Sequence, residues 1–234
     1  PDRRREKISV TGFSLQEIQD GMYGGGGDER SLYIGLRLKP SARYTVNIAG
    51  GALDRGGQVL PAYTFTFTTG ALAPSVSLAV PGNSGIYASS AEPILYYHAT
   101  NVTSAAFTLY PLTAAEANAW FTNDFKSFGN PNEWTPSQAA IRSWAEPISV
   151  SKDEVAIEST SLSGGGTLPK GNYFVRTGGA LRSFFAFAVV DSEIVVKLSQ
   201  DELVAWVLDH DTGKPVAGAT IHADEASHWD ALHA

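Results

Sequence analysis

The sequence predicts an all-β protein built of tandem antiparallel β-sandwiches, with one short helical insertion near residues 113–145. Three observations carry that reading. Apolar and polar residues alternate with period 2 along many short runs, the mark of strands with one buried face. Turn signals such as PGNSG, GGGTLPKGN, TGG and DTGKP separate many of these runs, so neighbouring strands connect too tightly for a βαβ sheet. Only one interval carries helical spacing.

Taken in order, YTVNIAG places Tyr44, Val46 and Ile48 on one face, and YTFTFTTG sets Tyr63, Phe65 and Phe67 against Thr64, Thr66 and Thr68. The Gly/Asp-rich GGALDRGGQVLP between them reads as a turn region. VSLAV, ILYYHA, AAFTLY, NYFVR, SFFAFAVV, EIVVKL, LVAWVL and ATIHA follow as strands. In LTAAEANAWFTNDFKSF, Thr113 and Glu116 have the spacing of a capping box, and Ala117, Phe121, Phe125 and Phe128 follow at helical intervals. In TPSQAAIRSWAEP, Thr135 and Gln138 repeat the box, Pro136 takes the favoured first helical position, and Ile141 and Trp144 share a face. Helices this short need burial, so the aromatic stripe reads as packing over a sheet rather than as a ligand cleft.

Two boundaries divide the chain. TTGALAP closes one strand and opens another, and near Asp191 two strand-like runs meet with only DSE between them. The expected units are residues 1–72, 73–191 and 192–234, the last too small to bury a core of its own. Apolar residues make up 43% and charged residues 18%, an ordinary globular composition that argues against disorder. The net charge of −7 argues against nucleic acid as a partner, and the basic run Arg3–Lys7 reads as a solvated terminus. With no cysteine, there is no disulfide, thiol nucleophile or Cys-based metal site in the chain. No run approaches the ~18 apolar residues that cross a bilayer, and no signal peptide is visible at Pro1.

Chemical motifs are weak. YGGGGDER lacks the P-loop Lys-Ser/Thr and the Rossmann spacing, and reads as a loop. His222, His228 and His233 with Asp224, Glu225 and Asp230 could bind zinc, but spacings of six and five match neither HExxH nor a finger, so a solvated tail is expected. DHDTG opens like a calcium loop without the downstream glutamate. No G-x-S-x-G elbow exists. Asp153 and Glu154, adjacent on an expected strand, would point to opposite faces. Asn101 heads an NVT glycosylation sequon. No catalytic, cofactor-binding or metal residue is assigned, and no enzyme activity is expected. DHDTGKP and the glycine after it have a mechanical account: Gly213 for positive φ, Asp211 for bonding turn amides, Pro215 for the exit, and Gly218 for close backbone approach.

The stretch Pro74–Leu112, with a tyrosine after its first turn, the Asn101–Val102 pair and LYPL, resembles the start of a macroglobulin-type β-sandwich of the bacterial alpha-2-macroglobulin family. So does the ordered series Gly171 and Tyr173, Val196 and Lys197, Trp206 and Val207, and Thr212–Ala219. LKPSARYTVNIAGGALDRGGQVLPAYTFTFTTG resembles the second half of a bacterial Ig-like domain. Together these cover most of residues 31–223. The resemblance implies a large exported protein, in periplasm, at the cell surface or outside the cell. It implies a broad-range endopeptidase inhibitor in which proteases cut a bait segment and are trapped, many members adding a Cys–Gln thioester. Neither bait nor thioester is recognisable here. The Ig-like unit lacks its opening strands and the TGKPV unit its continuation, so the expectation is a non-catalytic scaffold piece of a longer parent. Its partners would be the neighbouring domains of the same chain and, through the parent, proteases. The alternative is a cell-surface adhesin or carbohydrate-binding Ig-like module, with Trp134 or Trp229 as a sugar platform.

Overall fold

The computed structural model describes residues 8–24, 32–51, 57–82, 84–121, 133–179, 182–200 and 202–221. They form two compact units, Pro1–Pro74 with Ser151–Glu154, and Ser75–Val150 with Val155–Ala234.

The first unit carries β1 (Ile8–Val10), α1 (Leu15–Asp20), β2 (Met22–Gly24), β3 (Leu32–Ile34), β4 (Arg43–Ile48) and β5 (Tyr63–Thr68). Its main sheet has the order β1-β4-β5, all antiparallel. Register puts Val10, Val46 and Phe65 in one row and Ile8, Ile48 and Tyr63 in the next, so the sheet has one apolar face and one threonine-rich face. As expected, Tyr44 and Val46 are buried, with Ile18 of α1 against them. A capping box at Ser14 and Glu17, not anticipated from the sequence, starts that helix. The expectation that β5 buries its aromatic face needs correction. Phe67 packs on the core, but Tyr63 is 60% and Phe65 41% exposed.

The second unit holds β6 (Ser75–Leu78), β7 (Ser84–Ala88), β8 (Ile94–Thr100), β9 (Ser104–Pro111), α2 (Ala114–Phe121), β10 (Arg142–Pro147), β11 (Val155–Ser161), β12 (Gly171–Thr177), β13 (Phe184–Val190), β14 (Ser192–Leu198) and β15 (Leu203–Asp209). A five-stranded sheet, β10-β9-β12-β13-β7, and a three-stranded one, β11-β8-β6, share one core. Leu95 and Tyr97 come from β8, Phe107 and Leu109 from β9, Val175 from β12 and Phe187 from β13. One pairing departs from the antiparallel expectation: β7 runs parallel to β13. Gly85 in β7 has no room for a side chain, because a Cβ there would sit 2.6 Å from the ring tip of Phe185.

The helical insertion covers the other face of the five-stranded sheet. Alternation on β12 and β13 sends Val175 and Phe187 into the sandwich and Phe174 and Ala186 outward. There they meet Trp120 and Ala117 of α2, with Trp134 packed alongside. Both faces of these central strands are thus buried, and the apolar run FVRTG…FFAFAVV follows from that.

The first capping box forms as expected. The Glu116 carboxylate accepts from the Thr113 N–H (2.9 Å) and hydroxyl (2.8 Å), and the Glu116 N–H donates to the Thr113 hydroxyl at 3.2 Å. Phe125 and Phe128 lie outside the described residues. The second box does not make a helix. Residues 135–141 are bends and coil, and Arg142–Pro147 is the strand β10, with Trp144 opposite Phe107. Ladder bonds to β9 and ring stacking on Phe107 at 5.3 Å outweigh a weak local helix signal. Glu116 instead reaches this segment, accepting from the Ser137 N–H at 2.7 Å. ATIHA is also corrected: residues 219–221 carry no strand, and the rest lies outside the described residues.

Glu116 therefore ties two segments together, and its titration should report on both. Burial works against its charge, but the amides of Ser137 and Thr113 and the Thr113 hydroxyl prevail and hold the carboxyl below its ordinary 4.5. A lowered folded value means stabilisation is present above the unfolded value and is lost as pH falls through the folded one. Glu116→Ala is expected to loosen the insertion by about 1 kcal/mol at neutral pH, the scale of a lost cap. It should also flatten the acid dependence of Ser137 amide exchange. Equal acid sensitivity in the variant would disprove the role.

Candidate functional site

Polar side chains gather where β13 passes into β14. Asp191 alone separates the two strands. Its carboxylate accepts from the Lys170 ammonium at 2.6 Å and from the Ser89 hydroxyl. The Lys170 bond first, then Ser89, holds that carboxyl below the ordinary carboxylate value. The Asp191 carbonyl accepts the His210 N–H at 2.8 Å, so the far end of the β14–β15 hairpin returns to the same residue. His210 Nδ1 lies 3.6 Å from the Glu193 carboxylate. An open groove along this junction is walled by Lys170, Asn172, Val190 and Ser192.

DHDTGKP completes the cluster, with two changes from expectation. Asp209, not Asp211, bonds the turn, accepting from the Thr212 N–H (2.8 Å) and hydroxyl (2.6 Å). The hydroxyl, then the amide, lowers its carboxyl. Asp211 instead accepts from the Ser90 hydroxyl at 2.5 Å. Gly213 adopts φ 64 as anticipated. Gly218 serves its own backbone, at φ 75, and not a close neighbour, since nothing lies within 4 Å of its Cβ position. Pro215 bridges to Leu208, and the Val216 N–H donates to the Val207 carbonyl.

Asp191, Asp209 and Asp211 each accept a structural hydrogen bond, and Glu193 lies beside His210. Among the described residues no group of three or more His, Cys, Asp or Glu is placed to hold a metal ion. Asp153 and Glu154 sit in a turn rather than on a strand. Asp153, at φ 63, accepts the Leu72 N–H at 2.7 Å and the Ser41 hydroxyl at 2.5 Å. Trp134 is no open platform: it packs edge-on to Phe174 (5.2 Å) and against Trp120 (5.7 Å), while Arg176 donates to its carbonyl at 3.4 Å. Asn101 takes φ 48 at the β8–β9 turn, a conformation asparagine tolerates. Arg3–Lys7, Trp229 and the His222, His228, His233, Asp224, Glu225 and Asp230 cluster lie outside the described residues. No helix among the described residues is long and apolar enough to cross a membrane.

The sequence did not disclose one arrangement in the sandwich interior. Trp144 Nε1 donates to the Thr160 hydroxyl at 2.9 Å, which donates to Glu146 at 2.6 Å. This joins the two sheets through polar groups beside the aromatic core, with Arg142 stacked 4.1 Å above the Trp144 ring.

Two sheets around an aromatic core, a helical cover on one sheet and a hairpin continuing without a linker define an all-β protein of the β-sandwich class. Neither a family model nor a curated protein matches the chain. Solved structures do. Native alpha-2-macroglobulin from Escherichia coli, in a crystal spanning domains MG0-NIE-MG1, matches at TM-score 0.53 and 14% identity, over 92% of this chain and 71% of that one. A mutant of Salmonella alpha-2-macroglobulin matches at TM-score 0.60 and 13% identity, over 93% of this chain. The methylamine-reacted Salmonella protein matches at 0.50 and 15%, over 77%. This chain spans only 14% of the Salmonella mutant chain and 12% of the methylamine-reacted one. Its fold is that of domains of bacterial alpha-2-macroglobulin.

Proposed function

We propose that the chain is a non-catalytic scaffold segment of an exported, bacterial alpha-2-macroglobulin-like endopeptidase inhibitor. It spans an Ig-like unit (1–72), a macroglobulin-type sandwich (73–191) and the opening hairpin of a further one (192–234). The observation that carries this is the fold match across nearly the whole chain to a multidomain alpha-2-macroglobulin. The junction chemistry agrees, since its charged groups hold strands and turns to one another. In this reading the segment sets spacing between domains, while capture of a protease takes place elsewhere in the parent.

The test compares parent and segment against endopeptidases of different specificity. The parent should suppress cleavage of a large protein substrate while sparing a small peptide substrate, because a caged protease stays accessible only to small molecules. The 234-residue segment should change neither rate. Stoichiometric inhibition by the segment alone, or a parent that spares both substrates, would sink the proposal.

A further inference from the structure

We propose that Glu146 and Glu158 bind a calcium ion at the open side of the second unit's sandwich, with the Tyr97 hydroxyl as a third protein oxygen. The site follows from strand order. β10 ends the five-stranded sheet and β11 ends the three-stranded one. Their inward side chains meet, since Thr160 of β11 accepts from Trp144 Nε1 and donates to Glu146, both on β10. Alternation along β11 turns Glu158 to the same side as buried Thr160. In the ladder Glu158 stands opposite Tyr97 of β8. Tyr97 is 1% exposed, with its ring edge-on to Phe107 at 4.9 Å.

What these groups lack decides the ligand. Glu146 and Glu158 are half-buried, where a carboxylate without a counter-charge is costly. Yet neither forms an ion pair among the described residues, whose salt bridges join Lys170 to Asp191 and His210 to Glu193. Arg142 is the only Lys or Arg on β10 or β11, and it is held by the Trp144 ring at 4.1 Å and by the Ser161 carbonyl. His98 of β8 is on the outer face, opposite the exposed Ile157. One Glu146 oxygen is met by Thr160. Among the described residues, Glu158 and the Tyr97 hydroxyl have no hydrogen-bond partner. Burial first, then the charges of Glu146 and Glu158, push that hydroxyl up to about 12. It is therefore a neutral oxygen within the field of both carboxylates.

The donor set selects the ion. The groups are all oxygens, with no His or Cys, which suits a hard cation rather than zinc or copper. Two carboxylates and a neutral phenol balance a dication. Calcium accepts irregular geometry and completes its shell with water, whereas magnesium demands a near-ideal octahedron. Side chains from β8, β10 and β11, in two different sheets, suit the more tolerant ion. The site has only two of the carboxylates or imidazoles that usually gather around a metal, one fewer than a three-residue cluster. Affinity therefore belongs at the weak end for calcium, a Kd of about 10⁻⁴–10⁻³ M. The bound ion would tie β10 to β11 at an edge where no backbone ladder joins the two sheets.

The experiment is a terbium titration of the full 234-residue chain, since terbium takes calcium sites and emits when aromatic rings such as Tyr97 and Trp144 absorb beside it. Saturable emission is expected, displaced by calcium with a Kd of about 10⁻⁴–10⁻³ M and poorly by magnesium. Glu158→Gln keeps the size of the side chain and removes its charge. It should weaken calcium binding at least about tenfold, and Glu146→Gln serves if that variant fails to fold. Glu193→Gln, on the β14–β15 hairpin, should change nothing. Calcium should also raise the urea midpoint of the wild-type chain and leave that of Glu158→Gln where it was. Absence of saturable, calcium-displaced emission overturns the proposal. So does calcium binding that survives both Glu146→Gln and Glu158→Gln, which would put the ion elsewhere in the chain, or displacement by magnesium as readily as by calcium.

Discussion

Phe187→Ala is expected to lower the stability of the second unit by about 3–5 kcal/mol, the range for truncating a fully buried aromatic. Phe187 is 0% exposed. Its ring meets Tyr87 edge-on at 5.2 Å and stacks with Tyr173 at 5.4 Å and Phe185 at 5.9 Å. These rings come from β7, β12 and β13, so the cavity would open where the parallel and antiparallel pairings meet. Little collapse can fill it, since Val175 and Leu109 beside it belong to strands bonded on both sides. Urea unfolding should show a lower midpoint at unchanged slope. A change under ~1 kcal/mol would mean that Phe187 is not central to the core.

Trp120→Ala should have a comparable gross effect, again about 3–5 kcal/mol, but on a smaller part of the molecule. Trp120 is 2% exposed and touches Trp134, Phe174 and Phe184 at 5.7, 5.3 and 5.2 Å. All of these lie on the helix-covered face of the five-stranded sheet. The sandwich interior is formed by other side chains of the same strands. The insertion should therefore open on its own, at a free energy below that of global unfolding. The Ala117 and Ser137 amides should exchange much faster in the variant, while those of Leu109 and Phe187 keep most of their protection. Uniform loss across both sets would show that insertion and sandwich unfold together.

Much of this architecture was legible because burial follows strand periodicity. Tyr44 and Val46 and the β9 run read correctly from alternation, and β12 and β13 are legible as strands, though not their pairing or their burial on both faces. The Thr113–Glu116 box read correctly because both its bonds are local. Failures occurred where distant pairing decides. Nothing within TPSQAAIRSWAEP says that Trp144 will lie opposite Phe107, so a helix start looked better than an edge strand. β11 was missed for a different reason. Its large apolar residues, Val155 and Ile157, face outward, and buried Thr160 points inward to bond Trp144 and Glu146, inverting the usual signal. β7 is short, and its place depends on a glycine beneath Phe185. At the junction, the break near Asp191 was visible as two strand-like runs in succession. Its clamp was not, because Ser89, Lys170 and Asp191 are far apart in sequence and meet only after β7 and β13 pair.

The single-residue joint at Asp191 bears on which changes of chain length could survive there. Side chains on a strand alternate, so the step from Val190 to Ser192 sets which side of the hairpin faces which way. Beyond the Ser192–Asp209 pair at the joint, one side is apolar, with Ile194 opposite Val207, Val196 opposite Ala205 and Leu198 opposite Leu203. The other mixes Glu193 and Lys197 with Val195 and Trp206. Inserting or deleting one residue at the joint would exchange the two sides. Inserting two would restore them at the cost of moving His210 off the Asp191 carbonyl. Length variants at this position should thus be filtered by parity first and by hydrogen bonding second, leaving the joint far less free to drift than the glycine-rich turns on either side of it.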